Sequence, residues 1–194
     1  MREIRIHGRG GQGAVTAGDM IVTAAVLEGK YGTSFPLYGD ARRGAPVVTF
    51  LAINDARIRQ KTKVYNPDCL IVLDPRQYKW PQTYDGIKPG GVLILNYGDE
   101  LEEQPHPCIQ RAGAVDATKI AMEEIGIPAF NTCVLGAFAA TTGWVKLDAV
   151  IYAIEKSFSG ELAAKNITTA ERGYREVRIR EWALKDNTMN QRGA

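Results

Sequence analysis

The order of apolar and polar positions divides the chain into strands and helices that alternate. Ile4 and Ile6 are separated by polar neighbours, the two-residue period of a half-buried strand, and from Ala14 to Leu27 apolar residues recur at helical spacing. Tyr31 to Phe35 and Pro46 to Ile53 predict two more strands with a polar loop between them. "DCLIVLD" (68–74) and "GGVLILN" (90–96) are short continuous apolar runs, the pattern of strands buried on both faces. "DATKIAMEEIG" (116–126) and "NTCVLGAFAATTG" (131–143) predict helices, each opened by an Asp or Asn able to cap it and closed by a Gly able to end it. Two further helices are predicted from about Leu147 to Phe158 and from Gly160 to Trp182, the second highly charged.

Strands alternating with helices through short connections imply an α/β, Rossmann-like fold. Its sheet is largely parallel with helices on both faces, and a helical extension follows at the C-terminal end. At 194 residues, 45% hydrophobic and 24% charged, the chain suits one domain, placed at 1–186. Residues 187–194, "NTMNQRGA", read as a flexible tail. The net charge of +2 is too balanced for the basic face of a nucleic-acid binder. No apolar run approaches the roughly 18 residues of a membrane span, and the amino terminus is a strand rather than a signal segment, so a cytoplasmic protein is expected. Cys69, Cys108 and Cys133 are odd in number, widely spaced and without a Cys-x-x-Cys pair. They predict buried thiols, with no disulfide frame and no zinc or iron–sulfur site.

The first strand meets the first helix at "GRGGQG" (8–13). Gly8, Gly10 and Gly13 fit the spacing G-x-G-x-x-G, and a strand-to-helix turn of this kind leaves first-turn N–H groups unpaired, which favours an anion. A nicotinamide or flavin site also needs an acid at the tip of the second strand, where this chain has "TSFPLYG"; Glu28 has about the right spacing but falls in the last turn of the helix. Tight packing of helix on strand explains the glycines equally well, but it leaves Gln12, a polar amide, without a role. An autonomous NAD- or FAD-binding oxidoreductase and a nonenzymatic nucleotide-binding module therefore stay open as alternatives.

In "YGDARRGAP" (38–46), Arg42 and Arg43 lie between glycines, and arginine suits a bidentate grip on phosphate or carboxylate, although a solvated loop paired to Asp40 is the plainer explanation. The two loops are expected at the carboxyl ends of neighbouring parallel strands, where open α/β sheets place their ligands. His7 and His106 have no second ligand at metal spacing and read as structural. Asp74 before Pro75 reads as a turn organiser, and Asn131 with Thr132 as a helix cap. No nucleophile–base pair is present. Tyr38, Tyr78, Trp80 and Tyr84 fall on or near predicted loops, where aromatic residues serve as anchors for partners.

Taken in order, "GRGGQG", "YGDARRGAP", "PDCLIVLD", "KPGGVLILN", "NTCVLGA" and "NITTAERGY" resemble the gamma subunit of the 2-oxoacid:ferredoxin oxidoreductases, the pyruvate synthase group, over the chain up to about Arg180. The resemblance implies a subunit of a hetero-oligomeric enzyme of anaerobic metabolism that oxidatively decarboxylates a 2-oxo acid to an acyl-coenzyme A. Thiamine diphosphate with its magnesium and the [4Fe–4S] clusters are implied for companion alpha, beta and delta-type subunits, with ferredoxin or a flavin/NAD subunit as acceptor. This chain would bind none of these alone, carry no catalytic residue, cover the active site and help to hold coenzyme A. The contacts implied are Gly10, Gly11, Gln12, Gly13, Arg42, Arg43 and Asn131.

Overall fold

Four parallel strands form the centre of the sheet, and antiparallel strands extend it on both sides. The computed structural model describes residues 1–38, 45–59 and 62–183. Its strands are β1 (Arg2–Arg9), β2 (Tyr31–Tyr38), β3 (Pro46–Asn54), β4 (Cys69–Val72), β5 (Gly91–Asn96), β6 (Ile109–Val115) and β7 (Arg178–Glu181), in the order β2-β3-β1-β4-β5-β6-β7. β1, β4, β5 and β6 pair in parallel, whereas β3 is antiparallel to both β1 and β2, and β7 to β6. Thus β2 runs with the centre, and only β3 and β7 run against it.

One expectation fails here. β2 and β1 are not neighbours, because β3 stands between them. The connection between Tyr38 and Pro46 is too short for the crossover of a dozen or more residues that a parallel pair needs, so it can only join antiparallel strands. Tyr38 and Pro46 lie at the end of the sheet where β1 stops, since Arg9 pairs with Pro46 and Tyr38 with Val47. Arg42, Arg43, the loop they belong to, and the proposed domain end at 186 with its tail lie outside the described residues.

Both faces of the sheet are covered, by different structure. One core joins Ile4, Ile6, Leu51, Ile71 and Ile94 to the helices α1 (Ala14–Leu27), α2 (Ala117–Glu124), α3 (Asn131–Thr142), α4 (Leu147–Ser157) and α5 (Gly160–Glu176). A second core joins Leu70, Val72, Leu93 and Leu95 to Tyr84, Ile87 and Leu101 around two 3₁₀ turns, Gln77–Lys79 and Pro81–Tyr84. Tyr84 is buried there and its hydroxyl donates to the Tyr78 carbonyl (2.7 Å), while Tyr78 packs on Tyr97 with ring centroids 5.1 Å apart. Tyr84 thus belongs to this chain's own core, and Tyr78, partly buried, packs against it. Among the described residues no helix is long and apolar enough to cross a membrane.

α1 lies very close to the sheet. Its buried residues are Ala14, Ala17, Gly18, Met20, Ile21, Ala24 and Ala25, and a β-carbon at Gly18 would stand 2.9 Å from Thr49 Cγ2. α3 and α5 cross just as closely: a β-carbon at Gly136 would stand 1.9 Å from the Ala170 oxygen, and one at Gly173 2.0 Å from the Cys133 oxygen. Beside the crossing, the buried Thr132 hydroxyl donates to Asn166 Oδ1 (2.9 Å). The motifs "NTCVLGA" and "NITTAERGY" are thus two sides of one contact, and that contact fixes where α3 begins.

The chain does not remain helical to Trp182. Val177 takes an extended conformation (ψ 131°), and Arg178–Glu181 adds to the sheet as β7. Arg178 holds the turn after β5, with Nη2 donating to the carbonyls of Tyr97, Gly98 and Asp99 (3.2, 2.8 and 3.0 Å).

Candidate functional site

The chain leaves β1 towards one face of the sheet, through α1, and leaves β4 towards the other, through the 3₁₀ turns. This is the topology at which open α/β sheets bind ligands, in a crevice outside the carboxyl ends of two such strands, here β1 and β4. The glycine corner forms one lip of this crevice and Asp74 to Gln77 the other.

Two of the corner's N–H groups hold the corner itself: Gly10 donates to the Ala45 carbonyl (3.0 Å) and Gln12 to that of Arg9 (3.0 Å). Gly11 and Gly13 donate to no acceptor among the described residues. Gly11 is exposed with φ +93°, and a β-carbon there would meet nothing within 4 Å; Gly13 caps α1 with φ +77°. Both backbones occupy the left-handed region that glycine alone adopts freely. The Gln12 side chain accepts the Arg9 N–H through Oε1 (2.7 Å), which leaves Nε2 with no acceptor among the described residues.

Asn131 closes the inner side of the corner. It does not cap α3, because the N-cap is Phe130 and makes no side-chain cap bond; Asn131 lies in the first turn instead. Its side chain is 8% exposed, makes no hydrogen bond among the described residues, and touches Gly13. The amide is therefore available to bond a group outside this chain. The first turns of α1 and α3 meet at this point, and the first turn of a helix is a place that favours an anion. By contrast the Asp116 side chain does cap α2, accepting the Lys119 N–H (3.0 Å).

On the other lip Asp74 is buried and fully paired. Oδ1 accepts the Arg76 N–H (3.0 Å) and Arg76 Nε (3.3 Å), while Oδ2 accepts Arg9 Nε. Burial pushes the carboxyl pKa up, but these hydrogen bonds and the Arg76 charge outweigh it, and the net shift is down. The guanidinium of Arg9 also lies 5.9 Å from the Trp80 ring centre. Behind this lip, Gln77 Nε2 donates to the Gly8 carbonyl (3.2 Å). Asp74 does organise its turn, as its sequence suggests; its pairing with Arg9 across strands has no signal in spacing.

The remaining candidates are structural. His7 Nε2 accepts Arg5 Nε–H (2.9 Å), and Arg5 Nη2 donates to the carbonyls of Thr83 and Asp85 (2.9 and 2.8 Å). Burial and the neighbouring Arg5 charge push His7 down to about 3, so it is a neutral acceptor. His106 stacks on Tyr84 and accepts the Cys108 N–H through Nδ1 (3.2 Å). Glu28 is at the far end of α1, bound to Lys30 Nζ (2.8 Å) and the Lys146 N–H (2.6 Å). Cys69 and Cys133 are buried in β4 and α3, Cys108 is partly buried, and among the described residues no three His, Cys, Asp or Glu are grouped to hold a metal ion. Beside the end of β1 the sheet presents Pro46 of β3.

Residues 3–176 match the pyruvate ferredoxin/flavodoxin oxidoreductase family. The chain belongs to that family. The gamma subunit shared by the pyruvate and ketoisovalerate oxidoreductases of Thermococcus kodakarensis is 46% identical over 184 residues, which cover 93% of this chain and 100% of the relative. The gamma subunit of the NADH-dependent phenylglyoxylate dehydrogenase of Aromatoleum evansii is 47% identical over 181 residues, 92% of this chain and 95% of the relative. The crystal structure of a pyruvate oxidoreductase subunit from Thermotoga maritima superposes with a TM-score of 0.81 at 38% identity, covering 93% of this chain and 98% of that one. The same fold occupies 32% of a longer chain in the 2-oxoglutarate:ferredoxin oxidoreductase of Magnetococcus marinus, at 19% identity and a TM-score of 0.74.

This gamma subunit is therefore one component of a multi-subunit 2-oxoacid oxidoreductase of the pyruvate synthase type. Within it, "GRGGQG" builds a lip of the crevice, whereas "NTCVLGA" and "NITTAERGY" hold α3 so that Asn131 reaches that lip.

Proposed function

We propose that the glycine corner of this gamma subunit walls the active-site cleft of the assembled oxidoreductase and helps to hold coenzyme A there. The observation that carries this reading is Asn131: a largely buried residue whose amide makes no hydrogen bond among the described residues, set against Gly13 where two helix amino termini meet. Coenzyme A is an anionic, amide-rich chain, and the corner offers what it needs: Gln12 Nε2, the Asn131 amide, and the N–H groups of Gly11 and Gly13. Gly11 lets such a chain come close to the backbone. Arg42 and Arg43, on the loop that leaves β2, belong to the same proposal as further phosphate or partner contacts.

Thiamine diphosphate and its magnesium, held by companion subunits, supply the chemistry that decarboxylates the 2-oxo acid, and iron–sulfur clusters there carry the electrons away. This chain's part is to bind and orient the acyl acceptor and to exclude water. The companions are alpha, beta and delta-type subunits of a cytoplasmic complex. Ferredoxin is the acceptor by family, and an NAD-linked flavin subunit is the second reading, favoured by the high identity to a subunit of an NADH-dependent enzyme.

The test is Gly11→Val in the assembled complex. A β-branched residue at φ +93° strains the backbone and fills the open side of the corner. Acyl-coenzyme A formation is expected to fall more than about tenfold with every subunit still present. Full turnover with coenzyme A would remove the corner from the cleft.

A further inference from the structure

Arg9, Asp74 and Arg76 form a second charged element of the crevice, on the lip opposite the glycines. Asp74 is 1% exposed, and both its oxygens are used by the two arginines. Buried carboxylates persist when they are fully hydrogen-bonded, as this one is. Its pairing is not limited to closing a turn, because an Asx turn needs only the Arg76 N–H. The added contacts fix two guanidiniums, from β1 and from the segment after β4, around one carboxylate.

Arg76 is held by its root. Its Nε contacts Asp74 (3.3 Å), its side chain is 74% exposed, and its two Nη groups have no acceptor among the described residues. A guanidinium anchored through Nε presents its terminal nitrogens as a fork, the geometry that suits phosphate oxygens. Arg9, anchored by Asp74, is placed on a second side by the Trp80 ring. The position at the carboxyl ends of β1 and β4 puts this pair on the same crevice as Gln12, whose side chain bonds the backbone N–H of Arg9 itself.

We propose that Arg76 binds the phosphate groups of the acyl acceptor, and that Asp74 is the positioning residue that holds its guanidinium in place. This inference rests on the reading that the corner holds coenzyme A, and it assigns the polyanionic end of that ligand to the opposite lip. The exposed setting of Arg76 matches a multiply charged group at the mouth of the crevice, where a solvated arginine gains most from several negative charges.

The experiment compares coenzyme A with pantetheine, which lacks every phosphate, as acyl acceptors for the assembled complex. With Arg76→Ala, kcat/KM for coenzyme A is expected to fall about tenfold relative to that for pantetheine, and Arg76→Lys to recover part of the loss. Asp74→Asn is expected to raise KM for coenzyme A with kcat kept. Inorganic pyrophosphate, used as a competitor of coenzyme A, is expected to inhibit the wild-type complex more strongly than the Arg76→Ala complex. Equal effects on coenzyme A and pantetheine, or an effect on KM for the 2-oxo acid alone, would overturn the assignment. If Gln12→Ala weakens coenzyme A while Arg76→Ala changes neither the acceptor ratio nor the pyrophosphate inhibition, the phosphate assignment fails and the corner reading stands. If neither substitution affects coenzyme A, the corner reading itself fails.

Discussion

Gly13 and Asn131 touch: a β-carbon at position 13 would stand 2.8 Å from Asn131 Nδ2. The same glycine caps α1 with φ +77°, so the position is restricted twice, by conformation and by space. Through this contact the first turns of α1 and α3 share one mouth. Gly13→Ala is expected to destabilise the chain by about 1–3 kcal/mol and to displace Asn131. Thermal unfolding of the complex measures the first effect, and turnover with coenzyme A the second.

The α3–α5 crossing leads to a larger effect. At Gly173 a β-carbon would lie 2.0 Å from the Cys133 oxygen, and backbone on both sides leaves no flexible side chain to move aside. Gly173→Ala is expected to cost about 3 kcal/mol or more by forcing the helices apart. Hydrogen exchange at the α3 amides should rise well above that of β4 and β5, which do not depend on the crossing.

Stability should depend on pH through His7. In the folded chain it stays neutral down to about 3, whereas its ordinary value is 6.5. Between these values the unfolded chain binds the proton and the folded chain does not. Stability is therefore full above about pH 6.5 and falls as pH drops below it, by up to about 1.4 kcal/mol per unit. Asp74, Glu28 and Glu176 have lowered values, so their contributions are lost only at lower pH, below the ordinary carboxylate range. His7→Gln keeps an acceptor for Arg5 and should flatten the slope between pH 6.5 and 4 in chemical denaturation.

Periodicity located most elements because most carry a one-sided or continuous apolar pattern, as β4 and α1 do. β6 escaped because Arg111 and Gly113 interrupt its run; Gly113 is there because Thr141 of α3 lies 2.1 Å from where its β-carbon would be. β7, "RIRE", is exposed along its whole length and has no apolar alternation, so only its pairing with β6 makes it a strand. Within the candidate site Gln12 stands out in the sequence because packing leaves a polar amide in the corner without a role, whereas the glycines are explained equally well by packing. The Arg9–Asp74 pair does not stand out, because residues 65 positions apart meet only through the strand order β1-β4. The place of Asn131 against Gly13 likewise depends on the α3–α5 crossing, which no local pattern announces.

The measurement that bears most directly on coenzyme A at the glycine corner uses Gln12→Glu in the assembled complex. The substitution keeps Oε1 as acceptor for the Arg9 N–H, so the corner retains its own bond, while the Nε2 donor becomes a carboxylate oxygen. With a lost hydrogen bond of about 0.5–1.5 kcal/mol and added repulsion of the phosphates, KM for coenzyme A should rise about tenfold or more, with KM for the 2-oxo acid unchanged. A Gln12→Glu complex with every subunit present and unaltered coenzyme A kinetics would contradict the account and leave the corner to helix–strand packing alone.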